Sequence, residues 1–238
     1  MALNLQTFKT RSLTAAVFVI VMLTGLFLSG WSFIILFIII HFGCWYEFVS
    51  LMKKIYGNKY LQYAFLGLVY ITIPVMMIIN LGFYEDIFTI DRFNEITNTI
   101  HYSYLFPCAI IFSIWINDTM AYIVGSLIGT TSFSKISPKK TWEGTLGGII
   151  LCIVVIVLLG HYVPIAKVIR ARHWIAIASI CAIGGTAGDL LESKIKRMAD
   201  VKDSGSIMPG HGGFLDRFDS LLIATPLVWI YVNIFIHR

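Results

Sequence analysis

Residues 193–219 lie between two apolar runs and carry five basic side chains, Lys194, Lys196, Arg197, Lys202 and Arg217. The same stretch carries four aspartates, Asp200, Asp203, Asp216 and Asp219. Such a mixture suits a polyphosphate held through metal ions. Mg²⁺ takes a few carboxylate oxygens together with phosphate oxygens and water, and Lys and Arg neutralise the remaining negative charge. The turn Pro209-Gly210-His211-Gly212-Gly213 lets backbone N–H groups approach an anion. On its own a glycine-rich turn is a weak signal, but this one opens toward Asp216-Arg217-Phe218-Asp219. Asp216 and Asp219 stand at i and i+3 of a helix start, where carboxylates suit the helix dipole. Beside an arginine and the glycine turn, Asp216 is the expected metal ligand; Asp219 is a second ligand or a helix cap. His211 either contacts phosphate or bonds within its own loop, since the residue type fixes neither tautomer nor partner.

Three further polar islands could share this chemistry. On a helix, Asp189, Ser193, Lys196 and Arg197 fall at i, i+4, i+7 and i+8, on one face. A carboxylate at membrane depth is costly unless paired or wet, so Asp189 is a functional candidate; the competing reading is a structural ion pair with Lys196 or Arg197. In Ser137-Pro138-Lys139-Lys140-Thr141-Trp142, Ser at an N-cap and Pro at N1 predict a helix start. Two lysines at a helix N-terminus make a phosphate site, or an interfacial anchor with Trp142. Asp118 interrupts another apolar run, at a depth of about 15 Å if helical. It shares a face with Tyr122, Gly125 and Gly129, small residues that allow a neighbouring helix to come close.

The elements that must position these groups are membrane helices. Of 238 residues, 58% are hydrophobic and only 13% charged, with a mean hydropathy of +0.81. A soluble domain carries about 25% charged residues, so a soluble two-domain enzyme is excluded. Apolar runs near ~20 residues predict an all-α, polytopic transmembrane bundle. About seven spans are expected, with six to eight open: 12–30, 31–51, 61–83, 104–128, 145–163, 173–191 and 218–236. The second and fourth contain Gly or polar residues and are the expected places for a break. The chain reads as a single membrane domain, 1–238. Spans fill 1–103, and a catalytic core occupies 104–238 with polar loops 129–144 and 192–217.

The net charge of +5 reports topology and anionic headgroups here, not nucleic acid. Seven spans with the N-terminus inside place most basic loops, including 129–144 and 192–217, on the cytoplasmic face. The acidic loop 84–103 then lies on the opposite face, and the basic loop 164–173 is a misfit. Cys44, Cys108, Cys152 and Cys181 are scattered through apolar runs, which supports neither a zinc site nor a disulfide framework. Lys9 and Arg11 precede an apolar run that lacks a small-x-small cleavage site, which predicts an uncleaved first span.

The order Ser193, Lys196-Arg197, Lys202-Asp203, His211-Gly212-Gly213 and Asp216-Arg217-Phe218-Asp219 resembles, almost residue for residue, the CDP-diacylglycerol synthase (phosphatidate cytidylyltransferase) family. Ser137-Pro138-Lys139-Lys140-Thr141-x-Glu143-Gly144 and the Asp118-Thr119-x-Ala121-Tyr122 order resemble the same family. The three blocks follow family order over roughly 115–220. The resemblance implies an integral membrane enzyme, of the inner (plasma) membrane with a cytoplasmic active site. It would join CTP to phosphatidic acid, giving CDP-diacylglycerol and pyrophosphate. Mg²⁺, with a second metal ion left open, would sit on Asp189, Asp216 and Asp219. Asp189, Asp216, Arg217 and Lys196 would be catalytic. Lys139, Lys140, Ser193, Arg197, Lys202, Asp203, Gly210, His211, Gly212, Gly213 and Asp118 would bind substrate. The implied partners are CTP, phosphatidic acid and the bilayer, with a homodimer left open and no nucleic acid. Two other readings stay open: a CTP-dependent lipid-alcohol kinase, and a transporter of anionic lipid or phosphate with coupling aspartates.

Overall fold

A computed structural model describes residues 5–83, 102–134, 136–207 and 212–236. The expected acidic loop 84–103 falls almost wholly outside the described residues, as do Gly210 and His211. The chain is an all-helical bundle: α1 (Leu5–Phe27), α2 (Gly30–Tyr56), α3 (Tyr60–Ala64), α4 (Ile73–Gly82), α5 (Leu105–Ile128), α6 (Trp142–Tyr162), α7 (Ala171–Met198) and α8 (Leu215–Phe235). Among the described residues, five helical stretches are long and apolar enough to cross a membrane: Gly30–Ala64, Leu105–Ile128, Trp142–Tyr162, Ala171–Met198 and Leu215–Phe235. Ser12–Phe27 and Leu68–Gly82 are shorter apolar helices. Together these account for the seven expected apolar runs of an integral membrane protein.

Local chemistry sets the helix ends. Ser29 caps α2 through a reciprocal pair with Ser32, each backbone N–H meeting the other's hydroxyl at 2.9 and 3.1 Å. The helix closes at Gly57, whose φ of +53° a side chain would strain. The expected breaks in the second and fourth runs do not occur, because α2 and α5 are continuous. The third run breaks instead, at a π turn over Leu68–Thr72. There the Thr72 hydroxyl meets Trp45 Nε1 at 2.9 Å and His41 Nε2 at 3.0 Å.

The expected start at Ser137-Pro138 is also corrected. The N-cap of α6 is Thr141, whose hydroxyl accepts from Gly144 N at 3.1 Å. Lys139 and Lys140 therefore precede the helix. The expected 192–217 loop is shorter too, because α7 continues to Met198. Asp200 then adopts φ +54°, with Val201 N donating to Lys196 O (3.0 Å) and Asp200 N to Arg197 O (3.2 Å). These paired bonds satisfy the last carbonyls of α7 and turn the chain sharply.

In a bilayer, helices associate by close packing of small residues more than by burial of apolar surface. Gly188 of α7 illustrates this. A Cβ there would lie 2.5 Å from Asp219 O and 3.0 Å from Ser220 Cα on α8, so only glycine lets the two helices touch backbone to backbone. The α5–α6 pair closes likewise through Gly144 and Gly148 against Ala121. Because α5, α6, α7 and α8 alternate in direction, the end of α5, the start of α6, the end of α7 and the start of α8 meet at one end of the bundle. At 28 residues α7 is about 42 Å long. That exceeds a ~30 Å hydrocarbon core, which puts its last turns, from Asp189 onward, at the polar boundary.

Candidate functional site

A cavity of about 480 Å³ opens where those four helix ends meet. Its walls include Asp118 and Tyr122 of α5, Lys139 and Lys140 of the α5–α6 connection, Asp189 of α7, and Asp219 of α8. The connection is shaped like a small hairpin. Phe133 N donates to Lys140 O at 2.8 Å and Trp142 N to Thr131 O at 3.0 Å. Glu143 fastens its base by accepting from the Thr130 hydroxyl (2.9 Å) and the Thr131 amide (3.2 Å). The hairpin thus holds Lys139 and Lys140 over the cavity, and Lys140 forms an ion pair with Asp189.

The floor is acidic. Asp189, Glu192 and Asp219 bring one carboxylate oxygen each to within 4.8 Å of one another. Asp189 and Glu192 are i and i+3 on α7, and Asp219 faces them because Gly188 lets α8 approach. Glu192 has no solvent exposure and is buried behind the cavity lining. Lys196 compensates in part, with Nζ 2.5 Å from Glu192 Oε2 and 2.6 Å from Asp216 Oδ1. Asp219 Oδ1 accepts from Ser220 N at 2.6 Å. Three convergent carboxylates, offset in part by Lys140 and Lys196, form a negative site of the kind a hard cation fills with oxygen ligands.

Asp216 also lines the cavity, with donors already on both its oxygens. Oδ2 accepts from Ser204 N (2.9 Å), Ser204 Oγ (2.9 Å) and Gly213 N (2.8 Å), while Oδ1 takes Lys196. Gly212, at φ +82°, leaves room for this carboxylate. The expected stripe of Asp189, Ser193, Lys196 and Arg197 divides. Asp189, Glu192 and Lys196 form the inner line, whereas Arg197 turns outward and donates to Val201 O at 3.3 Å. Ser193 is half-buried and does not line the cavity. Lys202, Asp203 and Arg217 are exposed and lie outside its walls.

Two residues were missed. Glu192 stands in Asp189-Leu190-Leu191-Glu192 and would have been found by asking which acid shares the i, i+3 face of Asp189. Glu47 is a carboxylate in the middle of an apolar run, which is itself a signal. It is 1% exposed on α2 and accepts from Ser204 Oγ (2.7 Å), Phe214 N (2.9 Å) and Leu215 N (2.9 Å).

On one flank the cavity reaches the outer surface of the bundle. Tyr122, Leu127 and Ile128 of α5 are exposed there, beside Gly125 and Ser126 of the cavity wall.

Membrane helices that end in a joint acidic and cationic cavity define a class of integral membrane protein suited to phosphate groups at the lipid boundary. The profile of the Cytidylyltransferase family matches residues 58–235, and the chain belongs to that family. It is similar to the phosphatidate cytidylyltransferase of Bacillus subtilis, 40% identical over 148 residues, covering 60% of this chain and 53% of that protein. It is also similar to phosphatidate cytidylyltransferase 4, chloroplastic, of Arabidopsis thaliana, 44% identical over 116 residues (49% of this chain, 29% of that one). A third relative is the phosphatidate cytidylyltransferase of Staphylococcus haemolyticus, 44% identical over 118 residues (48% of this chain, 44% of that one). The chain thus spans about half or less of the length of the curated relatives it matches.

Proposed function

We propose that this protein transfers the cytidylyl group of CTP to phosphatidic acid, releasing pyrophosphate and leaving CDP-diacylglycerol in the membrane. The observation that carries the reading is the convergence of Asp189, Glu192 and Asp219 beneath Lys139 and Lys140 at the polar end of a membrane bundle. Relatives named phosphatidate cytidylyltransferase support the choice of substrates. In the reaction a phosphate oxygen of phosphatidate attacks the α-phosphorus of CTP, and the α–β phosphoanhydride bond breaks. The nucleophile is already anionic, so the protein needs no strong general base. Its task is to bring two anions together and stabilise the departing pyrophosphate.

Mg²⁺ fits the acidic floor, where Asp189, Glu192 and Asp219 would hold it; when bound it supplies charge neutralisation for the phosphates and the leaving group. Lys139 and Lys140 hold substrate phosphates from above, and Lys140 exchanges its Asp189 partner for phosphate oxygen. Lys196 orients Glu192, and Asp216 keeps Lys196 in place. The cavity faces the cytoplasm, the side that supplies CTP, with the protein in the cell's inner membrane.

The test is purified protein with phosphatidate, CTP and Mg²⁺, scored for both products. Pyrophosphate with CDP-diacylglycerol supports the reading. CDP with a phosphorylated lipid alcohol would instead identify a CTP-dependent kinase, and neither product would leave the transporter reading.

A further inference from the structure

Glu47 sits on α2, in the N-terminal part of the chain that precedes the family match at residues 58–235. Its carboxylate nevertheless reaches the connection between α7 and α8. Phe214 N and Leu215 N donate to it at 2.9 Å each. These are among the first amides of α8, and no side chain of Phe214 caps them. A buried carboxylate at that point satisfies orphan donors and meets the positive end of the helix dipole. Space is reserved for it as well: a Cβ on Gly205 or on Gly213 would collide with the Glu47 carboxylate.

The same carboxylate connects to the acidic cluster through four contacts. Ser204 Oγ lies 2.7 Å from Glu47 Oε2 and 2.9 Å from Asp216 Oδ2. Asp216 Oδ1 holds Lys196 at 2.6 Å, and Lys196 holds Glu192 at 2.5 Å. Ser204 is buried in the 199–214 loop, and Asp216 is the second residue of α8. Ser204 and the first amides of α8 therefore share one side chain from a distant helix.

We infer that Glu47 is a positioning residue of the cytidylyltransferase site: it fixes Ser204 and the start of α8, so that Asp216 aims Lys196 at Glu192. Its activity readout rests on the function proposed above. A group that only held the bundle together would change the folded fraction. Glu47 changes the rate of folded enzyme, and it does so through Ser204.

The experiment compares Glu47→Gln, Ser204→Ala and the double variant, with rates expressed per folded protein. Glu47→Gln keeps the shape but replaces one acceptor oxygen with an NH₂ that faces donors. The expected result is a fall in kcat of about tenfold or more for each single variant. The double variant should be no worse than Glu47→Gln alone, the non-additivity of residues acting as one unit. The Mg²⁺ concentration for half-maximal rate should rise in all three. A rate within threefold of wild type for Glu47→Gln, or multiplicative losses in the double variant, overturns the inference. Should Glu47→Gln fail to fold, Gly205→Ala decides. It presses a methyl group on the carboxylate while removing no polar group, and an unchanged rate would count against the inference. Should wild type itself make no CDP-diacylglycerol, the functional reading fails separately. Amide exchange then carries the test: Phe214 and Leu215 must exchange faster in Glu47→Gln, and unchanged protection overturns the positioning role.

Discussion

Replacing Glu192 with Gln separates a metal-holding carboxylate from a structural one. Glu192 lies within 4.8 Å of an oxygen of both Asp189 and Asp219. At an effective dielectric constant near 20, each of those repulsions is about 3.5 kcal/mol at that limiting separation, or about 7 kcal/mol together. Its attraction to Lys196 at 2.5 Å is about 6.6 kcal/mol on the same scale. The two nearly cancel, so Glu192→Gln should leave the stability of the Mg²⁺-free protein almost unchanged. With Mg²⁺ the balance differs. At a concentration 100 times its dissociation constant, an ion bound only by the native state stabilises by about 2.7 kcal/mol. If losing one of three carboxylates weakens binding about 100-fold, the same Mg²⁺ contributes only about 0.4 kcal/mol. Thermal unfolding in detergent, with and without MgCl₂, measures both arms, and turnover on CTP and phosphatidate should fall by about 100-fold. A Glu192→Gln protein that keeps both its Mg²⁺-dependent stabilisation and its activity would refute the acidic floor as a metal site. A large change in the Mg²⁺-free protein would refute the charge balance.

On the proposed arrangement, in which Asp216 orients Lys196, Asp216→Asn should lose about tenfold or more in kcat while retaining most of its Mg²⁺-dependent thermal shift; metal titration by thermal shift checks it. Gly188→Ala should destabilise by about 1–3 kcal/mol through overpacking and slow turnover by pushing Asp219 from the cluster; a fully stable, fully active variant would contradict the close α7–α8 contact. Lys140→Gln should mainly raise KM for CTP, whereas exposed Arg217→Gln should leave kcat within about threefold, as steady-state kinetics in mixed micelles will show. Ser206→Cys should label from the cytoplasmic side of oriented vesicles. All four native cysteines are buried, so no cysteine-free background is needed, and labelling only from outside would invert the topology.

Much of this was legible in the residue pattern. The apolar runs gave the helices because a spanning helix must be long and apolar, and Asp118, Asp189 and Asp219 stood out as acids set in such runs. What the pattern could not supply was direction around each helix and across the loop. Asp216 and Glu192 are both acids near basic residues. Only the fold shows one ringed by Ser204, Gly213 and Lys196, and the other grouped with Asp189 and Asp219. Ser137-Pro138 had the composition of a helix start, yet Thr141 took the cap because the preceding residues pair across the hairpin with Thr131 and Phe133. Glu47 escaped notice because its partners lie more than 150 residues away in sequence, a separation no local pattern records.

The exposed flank of α5 beside the cavity bears on how rates should be measured. Tyr122, Leu127 and Ile128 form an apolar margin next to Gly125 and Ser126, so an amphiphile can slide its headgroup inward while its chains remain among other chains. Encounter then takes place in two dimensions. The variable that saturates such an enzyme is the mole fraction of the lipid substrate in the micelle or vesicle, and adding inert detergent at constant total lipid should slow it by surface dilution. Under the proposed function, CTP should instead saturate with its bulk concentration and ignore that dilution.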